Sequence, residues 1–135
     1  MTRAMRDIRM RTRERVHRTF RVPAYLVASD GSYVLVGVRL NFRGASDSGE
    51  DGAMLVNAEN PTIILRVEDF TVDTAKLKNI DVVISDGEVF RTSGAGFIRG
   101  GYRELPSKRL GRAEIEARQY PYPTEDDWIA IEDMP

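Results

Sequence analysis

The spacing of hydrophobic residues changes at Pro23, and this change most constrains what the chain can fold into. Before it, apolar residues recur every three or four positions. After it, residues 33–42 alternate strictly, and one face of that segment carries Val34, Val36, Val38, Leu40 and Phe42. A period of two is typical of a half-buried β-strand, whereas steps of three and four indicate a helix. We therefore expect a helix first and β-structure after it.

Turn signals divide the β-region into short strands. Two hairpins are predicted around Ser29-Asp30-Gly31-Ser32 and Ser85-Asp86-Gly87-Glu88, because Asp-Gly supplies the positive φ that a tight hairpin requires. The predicted strands are residues 22–28, 33–42, 53–56, 62–67, 80–84, 89–92 and 97–105. Six or seven short strands predict a mainly β fold, a small single-domain antiparallel barrel or sandwich over residues 22–112.

Residues 1–21 predict a basic helix or arm. Eight arginines face two acids there, a net charge of +6. A thin apolar stripe runs between the arginines, formed by Met1, Met5, Ile8, Thr12, Val16 and Phe20. A helix so highly charged is marginal alone in water, so we expect a partner to order it. A helix lying on its own domain is the alternative.

Residues 113–135 predict an extended, acidic C-terminal arm. Seven acids face one arginine there, a net charge of −6. The arm carries a Tyr-Pro-Tyr-Pro linker and then a lone tryptophan. Either it docks back on its own barrel, or it adds a strand or an aromatic anchor to a neighbouring subunit. The candidate contact residues are Tyr120, Tyr122, Trp128, Ile129 and Ile131.

The residues do not predict an active site. The chain has no cysteine, which excludes disulfides and thiolate chemistry, and its only histidine, His17, is interpreted as a surface residue of the basic helix. No acids are spaced for metal binding or glycoside hydrolysis. The glycines at 94, 96, 100 and 101 lack a P-loop ending and indicate close packing or a bulge. We predict a non-enzymatic protein without metal, cofactor, small-molecule substrate or membrane span.

Nucleic-acid binding is the alternative from another class. Eight arginines on one short helix could neutralise several phosphates in a salt-dependent way. The predicted strands show no aromatic platform for stacking bases, however, and the acidic segments would repel a nucleic-acid backbone.

The order of elements, with residues 60–69 (NPTIILRVED) and 77–91 (LKNIDVVISDGEVFR), resembles the head-tail joining, or stopper, proteins of long-tailed bacteriophages. The resemblance covers roughly residues 22–105. It implies a structural protein of the virion, assembled in the host cytoplasm. Six or twelve copies would form a ring below the portal adaptor and above the tail terminator, closing the DNA channel and providing the tail attachment surface.

The resemblance also implies a role for one segment. The long loop 43–52 would face the lumen of the ring, where Asp47, Glu50 and Asp51, beside Arg43, would present negative charge to double-stranded DNA. The basic helix departs from the family pattern, because it is more basic than a plain positioning helix. We therefore expect it to contact packaged DNA or an acidic groove of the adjacent ring through Arg3, Arg6, Arg9 and Arg13. A tail terminator, or another ring protein of the neck or tail, is the nearest alternative.

Overall fold

The computed structural model describes residues 2–42, 60–69, 79–94 and 96–135. The predicted loop 43–52 and the predicted strand 53–56 lie outside these residues. The described elements are helix α1 (Arg3–Phe20), strands β1 (Val22–Val27), β2 (Tyr33–Asn41), β3 (Thr62–Arg66), β4 (Asn79–Ile84), β5 (Val89–Ser93), β6 (Phe97–Arg99) and β7 (Tyr102–Arg109), a 3-10 turn (Val67–Asp69), and helices α2 (Arg112–Glu116) and α3 (Glu125–Glu132).

Six of the strands close into an antiparallel barrel. The strand order is β3-β2-β1-β4-β5-β7, and β7 pairs with β3 to complete the circle. The seventh strand, β6, lies outside the barrel and pairs with the first half of β7. The predicted fold class, a small mainly β barrel with an N-terminal helix, is confirmed.

The barrel interior is filled by the alternating apolar residues that the sequence indicated. Val36 and Val38 of β2 are buried, and Val34 and Leu40 pack beside them. Isoleucine, leucine and phenylalanine from the other strands complete one apolar cluster. Removing this much apolar surface from water is the main stabilising term for a chain without cross-links.

Both predicted Asp-Gly hairpins form, with the same geometry. Gly31 and Gly87 adopt φ of 89° and 88°, which only glycine adopts without strain. The aspartate before each glycine accepts a hydrogen bond from the main-chain N–H two residues on, at 2.9 Å for Asp30 and 3.0 Å for Asp86. These local bonds fix the β1–β2 and β4–β5 registers.

The prediction of one strand over residues 97–105 is wrong. Gly100 and Gly101 turn the chain there, so that β6 and β7 form a hairpin with Arg99 opposite Tyr102. Gly96 is required for close packing, because a Cβ at this position would lie 2.1 Å from the carbonyl oxygen of Glu104. The Gly-Gly pair at 100–101, interpreted from the sequence as close packing or a bulge, is the turn of this hairpin.

The expectation of an extended C-terminal arm is also corrected, because the segment contains α2 and α3. Thr124 caps α3 in a capping box with Asp127, whose carboxylate accepts from the Thr124 N–H at 2.8 Å. Three acids in the first turn complement the positive end of the helix dipole. Ile131 is buried, so the segment docks on its own barrel.

Candidate functional site

Helix α1 rests on the barrel through a polar face. His17 is 1% exposed, and its ring lies 5.1 Å from that of Tyr102 on β7. Its Nδ1 accepts a hydrogen bond of 3.1 Å from Nε of Arg39 on β2. Farther along the helix, the half-buried Arg13 packs over Gly100, where any side chain would collide with its guanidinium group. The interpretation of His17 as a surface residue is therefore wrong.

The first half of α1 projects beyond the barrel. All residues from 2 to 12 are exposed, and this includes Arg3, Arg6 and Arg9 of the predicted contact set. At 1.5 Å per residue, the part that precedes Met10 is roughly 10 Å long. Of the four predicted contact arginines, only Arg13 is placed against the barrel of its own chain.

The apolar stripe of α1 remains uncovered by its own chain. Met5, Ile8, Val16 and Phe20 are 51%, 62%, 38% and 67% exposed. At 100° per residue, the stripe lies about 120° around the helix from the face that carries His17. The barrel therefore orders α1 through one face and leaves the apolar face to solvent. The alternative expectation, a helix lying on its own domain, is confirmed for the face that carries His17, and a partner for the apolar stripe stays a prediction.

A groove continues this uncovered stripe onto the barrel. It has a volume of about 520 Å³ and lies between the last turns of α1 and strands β2 and β3. Val16, Phe20, Val22, Leu40 and Ile64 give it an apolar wall. An uncovered helix face that runs into an apolar groove is typical of a protein interaction surface.

The C-terminal contact candidates divide into two groups. Tyr120 and Ile131 are buried in their own chain, at 8% and 2% exposed. Tyr122, Trp128 and Ile129 are 41%, 39% and 60% exposed, so they are accessible to another molecule. The arm thus uses part of the predicted set to dock on its own barrel and presents the rest outward.

Arg21 joins the two terminal segments. Although it is buried, its guanidinium group donates to the main-chain oxygens of Ile131, Met134 and Pro135, at 2.5, 2.8 and 3.1 Å. These carbonyls lie at the C-terminal end of α3, which favours a cation. Burial, and then the neighbouring arginines, lower the pKa of Arg21. The end of α1 and the end of α3 are therefore held together.

Asp81 anchors the linker that leads to α3. Its carboxylate is 2% exposed and accepts from Nε and Nη2 of Arg91 at 2.8 and 3.2 Å, from Arg118 Nη1 at 3.1 Å, and from the Tyr120 hydroxyl at 2.7 Å. Burial, and then this hydrogen bond, raise the pKa of Tyr120. Four bonds compensate for desolvating the carboxylate.

A second contact ties α3 directly to the barrel. The Tyr25 hydroxyl of β1 donates to Asp127 at 3.0 Å, and burial followed by this bond raises the pKa of Tyr25. Asp127 is also the capping-box partner of Thr124, so one carboxylate both stabilises the start of the helix and fixes it on β1.

The sequence analysis missed these anchors, although one signal was present. Asp81 is the only charged residue within the strand segment 80–84, and the Asp-Gly turn places it directly opposite Arg91. A lone charge in an apolar strand with an opposite charge at the paired position indicates a buried ion pair. No such local signal marks Arg21, whose acceptors are more than 100 residues away along the chain.

A metal-binding constellation is not found among the described residues. Within them, no group of three histidine, cysteine or acidic side chains is placed to hold a metal ion. No helix in this part of the chain is long and apolar enough to cross a membrane. The predicted lumen residues Arg43, Asp47, Glu50 and Asp51 lie outside the described residues.

Comparisons of the chain with protein-family models, with curated proteins and with solved structures give no match. Functional inference therefore depends on the surfaces described above.

Proposed function

We propose that this protein is a structural component of a long-tailed bacteriophage, a stopper or joining protein that forms a ring in the head-tail connector. The observation that carries the proposal is the projecting half of α1. Its residues 2–12 are all exposed, and Met5 and Ile8 form an apolar stripe between arginines. Such a helix is suited to dock on a neighbouring molecule.

The two ends of the chain provide different surfaces, as a ring requires. One surface is the basic α1 with its apolar stripe. The other is α3, which exposes Trp128 and Ile129 beside Glu125 and Asp126. Opposite charge around apolar centres favours contact between α1 of one copy and α3 of the next. Two unlike surfaces form a heterologous contact, which closes into a ring when the rotation between copies permits.

Strand β6 offers a second possible contact between copies. Phe97 and Ile98 are 54% and 58% exposed, and β6 ends the strand order of the described sheet. An apolar edge strand is a template for pairing with another chain. Docking of a neighbour against β6 would protect this edge in the assembled ring.

The position in the virion is inferred from the sequence resemblance. It places the portal adaptor above the ring, the tail terminator or tail below it, and double-stranded DNA in the channel. The acids of loop 43–52 would then repel DNA from the closed lumen. Changing Asp47, Glu50 and Asp51 together to the corresponding amides should reduce DNA retention in filled heads, and unchanged retention would contradict this role.

Deletion of the gene from the parent phage tests the proposal. Negative-stain microscopy should show DNA-filled heads without tails next to free tails of normal length. Tails of uncontrolled length would instead indicate a tail terminator, the nearest alternative. Normal virions would contradict any joining role.

Nucleic-acid binding remains the second candidate, since the arginines of α1 are exposed. The purified protein would then retard duplex DNA in a salt-dependent way, and a variant lacking residues 2–12 would not. For a ring protein, the same truncation should abolish assembly at salt concentrations that already prevent DNA binding. Measuring DNA binding and ring assembly of the truncated variant over a series of salt concentrations therefore separates a nucleic-acid-binding function from a ring function.

A further inference from the structure

A small pocket lies where α1, the barrel and the end of the chain meet. It has a volume of about 190 Å³. Its wall includes His17, Tyr102, Glu14 and Pro135, together with the guanidinium groups of Arg18, Arg21 and Arg66. The three guanidinium groups outnumber the acidic groups of the lining, so the space is positively charged, and it can hold only a small ligand.

His17, which lines this pocket, carries an unused hydrogen-bond donor. Nδ1 accepts from Arg39, and an arginine can only donate, so Nδ1 carries no hydrogen. In the neutral imidazole the hydrogen must then be on Nε2. The Nε2 atom is buried and has no hydrogen-bond partner among the described residues. A buried donor without an acceptor is unfavourable, and an oxygen of a bound ligand would satisfy it.

The electrostatic environment of His17 is consistent with an anion in the pocket. Burial, and then the charges of Arg39, Arg21 and Arg66, lower the pKa of His17 to about 4. The imidazole is therefore neutral at pH 7 and keeps Nε2–H as a donor. The same guanidinium charges that disfavour a proton on His17 favour an anion beside it.

We propose that this pocket binds a phosphate oxyanion, with His17 Nε2–H and the guanidinium groups of Arg18 and Arg66 as donors. A phosphate anion would offset the excess positive charge of the lining, and arginine is well suited to bind it through paired N–H groups. Arg21 contributes mainly its charge, since it already donates to three main-chain oxygens. Arg66 donates to Pro135 and pairs with Glu68, which leaves the other N–H groups of its guanidinium for the ligand. The ligand would bridge α1 and β3 and so fix the direction of the projecting helix.

Two sources share this chemistry, free inorganic phosphate and a phosphodiester of duplex DNA. The inference holds whether or not the protein forms a connector ring, because the pocket lies within one chain. Failure of the ring proposal would leave it intact.

The single histidine of the chain makes a direct test possible. Long-range ¹H–¹⁵N spectra of the full-length protein at pH 7 report the two ring nitrogens of His17 alone. Titration with sodium phosphate should shift the Nε2 signal in a saturable way, and sodium chloride at equal ionic strength should not. A 12-base-pair duplex is titrated in parallel.

Variants identify the donors. Arg18→Gln and Arg66→Gln should each weaken binding about tenfold or more, since each removes charge-assisted hydrogen bonds. Arg9→Gln removes the same charge from the exposed part of α1 and should change affinity less than about twofold, because screening weakens distant surface charges. Arg18 is exposed, so its variant should fold normally even if Arg66→Gln loosens the contact with Pro135.

The outcomes distinguish the sources. Saturable shifts with phosphate alone establish a site for the free anion. Shifts with the duplex that phosphate competes away, and that Arg18→Gln loses, assign the site to a DNA phosphodiester. The absence of a saturable shift with either ligand, or an equal loss in Arg9→Gln, would overturn the proposal.

Discussion

Replacing Asp81 by asparagine is expected to destabilise the protein strongly. The substitution keeps the shape but removes the charge that holds Arg91, Arg118 and the Tyr120 hydroxyl at distances of 2.7 to 3.2 Å. Removing one partner of a buried, hydrogen-bonded ion pair typically costs 3–5 kcal/mol. Because Arg91 and Arg118 remain partly solvated, we expect the lower end, about 3 kcal/mol of the free energy of unfolding.

Chemical and thermal unfolding measure this loss. For a chain of this size, about 3 kcal/mol corresponds to a fall in melting temperature of roughly 10 °C. Glu114→Gln is the matched control, since Glu114 also faces Arg91, at 3.6 Å, but is 58% exposed. An exposed ion pair contributes at most about 1 kcal/mol, so this variant should remain close to wild type.

Tyr120→Phe completes the test. It removes one hydrogen bond to a buried charge and should cost about 1.5–2 kcal/mol. In a double-mutant cycle with Asp81→Asn the two losses should be less than additive, because both variants break the same bond. If Asp81→Asn lowers the free energy of unfolding by less than about 1 kcal/mol, the ion pairs of Asp81 do not stabilise the fold. The cost of desolvating the carboxylate would then cancel its attraction to the arginines.

Three further predictions follow from other parts of the fold. The pKa of His17 falls from 6.5 to about 4 on folding, so the unfolded chain binds more protons in this window and stability falls as pH drops from 6.5 to 4. The free energy of unfolding should fall by roughly 2–3 kcal/mol over this pH range. Urea titrations at several pH values measure it, and the free energy of unfolding of His17→Gln should not show this fall. Ile8→Ser should leave the free energy of unfolding within about 0.5 kcal/mol of wild type yet prevent self-assembly in sedimentation experiments, whereas Arg11→Ser should still assemble. Gly96→Ala should cost about 2–3 kcal/mol in thermal unfolding, because its Cβ would collide with a main-chain oxygen of β7, while Gly94→Ala faces open space and should cost only about 1 kcal/mol.

The barrel was predictable because its signals are local. Alternation in residues 33–42 and the two Asp-Gly turns depend on neighbours in the sequence, and the structure retains both. The C-terminal helix was not predictable in the same way. Trp128-Ile129-Ala130-Ile131 is a short apolar run that periodicity cannot assign to a helix or a strand, and the capping box of Thr124 and Asp127 favours the helix.

The candidate surfaces could be predicted only in part. The arginines and the apolar stripe of α1 are visible in the sequence, but the face on which the helix rests depends on His17 meeting Tyr102, 85 residues away. Arg21 likewise finds its acceptors only after the barrel and α3 have formed. Contacts between distant segments carry no periodic signal, so the pocket beside His17 could not be inferred before the fold was known.

Joining of heads and tails in a mixture tests the central claim most directly. DNA-filled heads and free tails from the gene-deletion phage are combined with the purified protein, and infectious particles are counted. Wild-type protein should restore infectivity, and a variant lacking residues 2–12, which retains the barrel, should not. Heads and tails that join equally well without the protein, or that never join in its presence, would contradict a role in head-tail joining.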